Sequence, residues 1–490
     1  MSSFPKTSIV AFIENNGLLP SPANPLRVHI WRILLASISL EARRYNANNA
    51  YNFNGTNGNL NNNNVNNANR CQAVTNLPHS LLRYDRMKKD TQRFAHLVDV
   101  YFDTRRNKRY GRDSMVYEMS WVANLVREFR QRKDRTLRIL HNYAFLVSIP
   151  KWREIMATEF KGRLIDHEIC EVVIPEANRV LSPYSYNNRK GMGAQAAINQ
   201  LIEHIYTATE GYTRPARIIK LDLKGYFPSA RWDYAEQCID RVIDLSDYED
   251  KSYLKWLAMV SIHCNPAAHC ELRTPRYLWK EHITPDKSLL AKPEGEGAAI
   301  GRLIWQTAMG LYINDEIRWL TEECGLLVVC FVDDIAMVVP EHLHEYALGL
   351  IPELRRRLAA KGIRLNEKKF YDQPYGHGVE FLGSHIKPWR IHLNDDSFGR
   401  AMSRVHELNK LTRKEIFLDN AVSSINSYTG LLKNRNEYKR TGRLREALDP
   451  QWWEFIEWDE RRQCVRCLPA YTHNARLNEK YHLNLKRKAS

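Results

Sequence analysis

Leu326-Leu327-Val328-Val329-Cys330-Phe331-Val332-Asp333-Asp334-Ile335-Ala336-Met337-Val338-Val339 sets two adjacent carboxylates between two apolar runs rich in β-branched and aliphatic residues. Runs of this kind joined by a tight acidic turn predict a β-hairpin. Ionised carboxylates at its tip need a cation or water beside them. An Asp-Asp pair is common in exposed turns, so its meaning depends on what else the chain supplies.

A third carboxylate stands about a hundred residues upstream. In Arg217-Ile218-Ile219-Lys220-Leu221-Asp222-Leu223-Lys224-Gly225-Tyr226-Phe227, a second apolar strand ends on Asp222. Nucleotidyl transfer asks for this arrangement. Two Mg²⁺ ions about 3.5–4 Å apart activate an attacking 3′-oxygen and neutralise the leaving pyrophosphate, so hard oxygen ligands must converge from neighbouring strands. Asp222 and Asp333 are the candidates to bridge both ions, with Asp334 as an outer or alternating ligand and the Leu223 carbonyl completing one shell. Mn²⁺ could substitute for Mg²⁺ on such oxygen donors.

The order of further motifs carries a resemblance. Pro150-Lys151-Trp152-Arg153-Glu154-Ile155 is followed by Phe160-Lys161-Gly162-Arg163-Leu164-Ile165-Asp166-His167 and Ser185-Tyr186-Asn187-Asn188-Arg189-Lys190-Gly191-Met192-Gly193. After Asp222 come Asn265-Pro266, Trp279, Lys287-Ser288-Leu289, Gly297-Ala298-Ala299-Ile300-Gly301 with Gln306, the acidic pair, Leu365-Asn366-Glu367-Lys368-Lys369, Phe381-Leu382-Gly383 and Ile425-Asn426-Ser427-Tyr428-Thr429-Gly430. In this order, from about residue 101 to 438, the chain resembles bacterial reverse transcriptases of the branch holding diversity-generating retroelement enzymes and defence-associated, or unknown-group, enzymes.

Several positions have a physical reading of their own. Lys151 and Arg153, a point cation and a guanidinium fork in a strand-like segment, suit the triphosphate of a dNTP. Arg189 and Lys190 sit in a basic stretch punctuated by Gly191 and Gly193, where backbone can approach the phosphate of nucleotide or template. Gly297 and Gly301 bracket a loop opening a predicted helix over 302–323, with Gln306 one turn inside, an arrangement suited to template and incoming base. Lys369 follows a helix-like stretch, 354–361, and could protonate departing pyrophosphate as general acid; Lys368 competes for that role. Phe381-Leu382-Gly383 is read as the turn supporting the primer terminus, an ordinary hairpin turn being the alternative. The resemblance further implies that Phe227 stacks beneath the deoxyribose and excludes a 2′-hydroxyl, where a core Phe is the bland alternative.

Two departures from the family pattern stand out. Ala298-Ala299 and Trp305 occupy positions where Leu-Pro and a Ser before the Gln are usual. Phe331, on the template and primer side of the acidic pair, replaces the usual Tyr and removes a phenolic hydroxyl.

Composition agrees with a polyanion-binding enzyme. The 490 residues include 72 Lys plus Arg against 56 Asp plus Glu, a formal net charge of +16, so nucleic acid is attracted and binding should weaken with salt. Basic residues cluster over 105–112, 127–138 and at the C-terminus, interleaved with Tyr101, Phe102, Tyr110, Tyr117 and Trp121. No run of 18 apolar residues and no cationic-then-apolar leader occurs, so a cytoplasmic enzyme without membrane contact is expected. Nine scattered cysteines fit reduced thiols. Cys464 and Cys467 form Cys-x-x-Cys with His473 and His482 beyond, spacings that depart from common zinc patterns, so zinc is not expected.

The expected fold is a right-hand polymerase of α/β (α+β) type. Residues 1–95 form a helical N-terminal extension, with helical spacing over 27–45 and 81–101 and an asparagine-rich insert, 46–69, that lacks apolar groups to bury. Fingers follow over 96–213, then a palm with an antiparallel sheet over 214–385 with interleaved fingers elements, a helical thumb over 386–445, and a basic, aromatic C-terminal extension over 446–490. Trp452, Trp453, Phe455 and Trp458 in that extension could serve a subunit interface, RNA stacking or the thumb's own core. No RNase H or integrase segment is legible after the thumb. The resemblance implies an RNA-directed DNA polymerase using dNTPs, an RNA template (a dedicated non-coding RNA) and a cDNA product, in antiphage defence, with a second copy of the chain left open as a further partner. A diversity-generating retroelement enzyme, an RNA-dependent RNA polymerase and a non-catalytic, maturase-like RNA-binding protein are the alternatives; Phe227 and the absence of Gly before the Asp pair count against the RNA polymerase.

Overall fold

The computed structural model describes residues 79–106, 111–148, 151–411 and 418–472, with side chains from residue 89 onward. The helical spacing at 27–45, the asparagine-rich tract and the two histidines beyond Cys467 lie outside these residues. The described chain mixes α-helices with largely antiparallel sheets.

The central sheet decides where chemistry can occur. Strand β3 (Ser185–Tyr186) lies parallel to β6 (Leu327–Phe331); β6 forms a hairpin with β7 (Asp334–Pro340); β7 pairs antiparallel with β4 (Ala216–Lys224). Beyond β4 lie β8 (Arg364–Leu365), beside Leu223 and Lys224, and β9 (Tyr371–Pro374), beside Arg217–Lys220. The register of β4 on β7 runs from Ala216 opposite Pro340 to Asp222 opposite Asp334. Strand β4 is apolar on both faces because both are covered, and side chains alternate between them. Ile219, Leu221 and Leu223 enter a core shared with the helices Phe160–Val180, Trp232–Leu245 and Leu303–Tyr312. Ala216 and Ile218 face the helix Ala194–Ala208 and residues Val379, Phe381 and Ile386.

A second sheet lies beside the first. In it β1 (Asn142–Val147) pairs antiparallel with β2 (Arg153–Thr158) and parallel with β5 (Cys270–Leu272). A buried ion pair ties this region to the helices behind the palm: Arg302 grips Asp166 with Nε–Oδ2 at 3.1 Å and Nη2–Oδ1 at 2.6 Å, and both side chains are 2 % exposed. Burial works against the Arg302 charge, but Asp166 outweighs it and raises the guanidinium pKa. The helix expected over 302–323 is broken. It runs Leu303–Tyr312, then Asn314–Arg318, then a π-turn Trp319–Glu323, the break falling at Ile313.

Strands β10 (Val379–Phe381), β11 (Ser384–Lys387) and β12 (Arg390–Leu393) form a small antiparallel sheet leading into three helices, Asp395–Asn409, Leu418–Lys433 and Tyr438–Glu446. These helices share one core with Trp452, Ile456 and Val465. Trp452 is fully buried, and its indole N–H donates to Asn409 Oδ1 at 3.0 Å. The hairpin of β13 (Ile456–Asp459) and β14 (Cys464–Cys467) is pinned by Asn426, whose side chain bonds both the N–H and the carbonyl of Val465.

Candidate active site

The β6–β7 turn consists of Val332 and Asp333 alone, since Phe331 pairs with Asp334. Val332 takes φ +60°. Two-residue hairpins need left-handed backbone to match strand twist, and a β-branched residue pays steric strain there. The strain is held by the sheet on both sides: the Asp333 carbonyl accepts the Leu223 N–H at 3.1 Å, locking the turn onto β4.

Three carboxylates therefore meet at the end of β4. Asp222 and Asp334 are register partners on adjacent strands, and Asp333 lies in the turn between β6 and β7. Lys369 Nζ stands 2.6 Å from Asp222 Oδ1 and Asn366 Nδ2 donates to Asp222 Oδ2 at 2.8 Å. The Asn366 N–H also donates to the Asp222 carbonyl at 2.8 Å, so this loop is fastened to the strand as well as to its side chain. On the other side Lys220 Nζ lies 3.3 Å from Asp334 Oδ1 and donates to the Glu380 carbonyl at 3.0 Å, with its ammonium over the Phe381 ring.

Charge follows from this crowding. Burial first, then the charges of Asp334 and Asp222, push the Asp333 carboxyl above its ordinary pKa, with Lys369 partly opposing. Burial alone would depress the Lys369 ammonium, but its hydrogen bond to Asp222 and the three carboxylates raise it. A donor set of three carboxylates that drive one of their number toward protonation is chemically suited to a divalent cation, which would relieve the repulsion. As they stand, Lys369 and Lys220 each take an oxygen of the set, and among the described residues no three Asp, Glu, His or Cys side chains converge closely enough to hold an ion. The fit is therefore one of donor chemistry and strand placement.

The other expected site residues fall into groups. Leu223 is buried, one residue past Asp222. Phe227 is half-buried against the palm core, while Tyr226 beside it is buried and anchored to the Met309 carbonyl at 2.5 Å. Gly297 and Gly301 take φ +92° and +113°. A Cβ on Gly301 would stand 3.2 Å from the Met156 carbonyl, and the Ile300 carbonyl accepts the Met156 N–H at 3.1 Å, so this loop runs flush against β2. Gln306 is half-buried, and its carbonyl accepts from Asn188. Lys151 and Arg153 are exposed at the start of β2, and Lys190 is exposed. Phe331 closes β6 against the core on the Phe381 side, and Phe381 is buried within it. Leu382 and Gly383 form the β10–β11 turn with φ +49° and +73°, and the Gly383 carbonyl accepts the N–H of Asn394, the residue that caps the helix Asp395–Asn409.

Two expectations on roles need correcting. Arg189 does not present its guanidinium to phosphate: it donates to the carbonyls of Ser182, Ser185 and Asn178 at 2.9, 3.0 and 3.2 Å, and burial lowers its pKa. It holds its own loop to the end of the helix Phe160–Val180. Of the two candidate general acids, Lys369 reaches the carboxylates, while Lys368 faces an open basic groove with Lys224, Arg355 and Arg364.

Sequence reasoning passed over Lys220 and the role of Glu154. Lys220 had a signal, since it stands two residues before Asp222 and shares its face of the strand. Glu154 had none: it is buried, and its carboxylate accepts from Trp279 Nε1 at 2.7 Å, Ser288 Oγ at 2.6 Å and the Leu289 N–H at 2.7 Å, partners more than 120 residues away.

No family model matches the chain, and no curated protein matches it. Solved structures similar to it include apo telomerase from Candida tropicalis truncated of its C-terminal domain (12 % identity, TM-score 0.38, covering 52 % of this chain and 55 % of that one). Apo telomerase from Candida tropicalis gives 11 % identity and TM-score 0.41, covering 65 % and 61 %. Telomerase from Candida albicans in complex with a TWJ fragment of telomeric RNA gives 11 % and 0.33, covering 68 % and 63 %. The chain thus spans 55–63 % of the length of these three. No helix among the described residues is long and apolar enough to cross a membrane.

Proposed function

We propose that this chain is an RNA-directed DNA polymerase that makes cDNA from dNTPs. The observation that carries the reading is the register of Asp222 on Asp334 with Asp333 in the intervening turn, and Lys369 hydrogen-bonded to Asp222. Asp222, Asp333, Asp334 and the Leu223 carbonyl would hold two Mg²⁺ ions, or Mn²⁺ in their place, which when bound supply Lewis-acid activation of the 3′-hydroxyl and charge neutralisation at the phosphates. Lys369 is placed to give a proton to the pyrophosphate leaving oxygen, its raised pKa keeping it protonated at neutral pH. Exposed Lys151 and Arg153 are free to bind the triphosphate, and Phe227 to exclude ribonucleotides by contact with the sugar.

The template proposed is RNA, a dedicated non-coding species, and the setting antiphage defence; both rest on the motif resemblance alone, as does the alternative setting in a diversity-generating retroelement. The test compares wild type with Asp333→Asn/Asp334→Asn for incorporation of labelled dNTPs on copurifying RNA, followed by sequencing of the product. Carboxylate-dependent cDNA is expected. Retained RNA with no synthesis by wild type would favour a maturase-like RNA-binding protein, and preference for rNTPs would overturn the assignment as a DNA polymerase.

A further inference from the structure

The tip of the β1–β2 hairpin carries an aromatic pair that the proposed chemistry does not use. Trp152 stacks face to face on His282, with ring centroids 3.9 Å apart and planes within 6°, and Trp152 is 38 % exposed. A ring sandwiched on one side only has its second π-face available.

The pair is rigidly mounted. Two residues on from Trp152, and so on the same side of an extended chain, Glu154 accepts hydrogen bonds from Trp279 in the helix Arg276–His282 and from Ser288 and Leu289 just after it. Glu154 thus clamps β2 to the helix that ends in His282. Strand alternation turns Lys151 and Arg153 to the other side. Cations still surround the pair at a distance suited to a phosphate backbone, since Lys151, Arg153 and Lys280 are all exposed and close in sequence to its two members. Exposed aromatic faces bordered by cations are how proteins hold unpaired nucleic acid, because every base offers a π-face and every nucleotide a phosphate.

We propose that the free face of Trp152 stacks an unpaired RNA base, making the fingers tip a docking platform for single-stranded RNA distinct from the carboxylate centre. Calling that strand the template ahead of the copied position rests on the function proposed above; the stacking itself does not.

The test measures binding without synthesis. Full-length protein, Trp152→Ala and Trp152→Phe are titrated by fluorescence anisotropy with a labelled single-stranded oligoribonucleotide and with a blunt RNA–DNA hybrid, in the absence of dNTPs. Trp152→Ala should weaken single-strand binding about 5- to 150-fold, the range of one lost base stack. Trp152→Phe should recover most of it, and blunt-hybrid affinity should stay unchanged. Equal single-strand affinity for wild type and Trp152→Ala, or equal losses on both ligands, would overturn the platform. Matching thermal melting curves exclude a folding defect, and as the readout is binding, a failed synthesis assay leaves this result separately interpretable.

Discussion

Asp333 is the residue on which the site's electrostatics turn. Its carboxyl is pushed up by burial and by two like charges, so the folded, metal-free protein binds a proton there more tightly than the unfolded chain does. The sign follows: this group disfavours folding once pH rises above its folded pKa, and the penalty fades as pH falls through that value toward 3.8. Asp333→Asn should therefore raise Tm in EDTA at pH 7, by roughly 1–3 °C, while abolishing synthesis, and the gain should shrink between pH 7 and pH 4 in a melting series. No gain at pH 7 would show that Lys220 and Lys369 already neutralise the cluster. Lys369 makes a second prediction at this scale. Lys369→Leu should lower the single-turnover rate about 10²- to 10⁴-fold with little change in dNTP affinity, whereas Lys368→Leu, whose side chain lines the adjoining groove, should lower it far less.

At the scale of elements, the palm depends on buried polar links between segments distant in sequence. Arg302 donates to Asp166 and to both the carbonyl and the hydroxyl of Ser261, joining the helix Phe160–Val180, the helix Lys251–Ile262 and the start of the helix Leu303–Tyr312. Asp166→Ala would leave the guanidinium buried without its counter-charge, at a cost of about 3–5 kcal/mol measurable by urea unfolding. Gly301 makes the same junction from the backbone side. Its φ of +113° and its contact with the Met156 carbonyl leave no room for a side chain, so the 297–301 loop and β2 move as one piece.

The whole molecule ends in a thumb closed by chain that follows it. Trp452 fills a core lined by Val405, Leu408, Ala421, Ile425 and Leu444, and bonds Asn409 from the far end of the first thumb helix. Trp452→Ala should cost about 3–5 kcal/mol and broaden or split the unfolding transition, because the thumb core is separate from the palm core. The aromatics of this extension had three open readings; for Trp452 the thumb core is where the structure puts it. With a formal net charge of +16, RNA affinity should also fall steeply between 50 and 200 mM salt in the same anisotropy assay.

By itself the sequence determined the two strands that bear Asp222, Asp333 and Asp334, because unbroken apolar runs ending in acids can be read locally, and it determined Lys369 as a candidate because a motif order is a one-dimensional property. Tertiary structure decided everything that depends on which side chains meet across a hundred residues. It turned Arg189 inward to backbone carbonyls, set Lys220 against Asp334, buried Glu154 beneath Trp279, broke the helix predicted through residue 323, and gave Trp152 a stacking partner in His282. The physical reason is one of range: apolar periodicity is written in neighbouring residues, whereas a salt bridge, a buried acceptor or a ring stack exists only once the packed helices and strands have fixed the distance between its two halves.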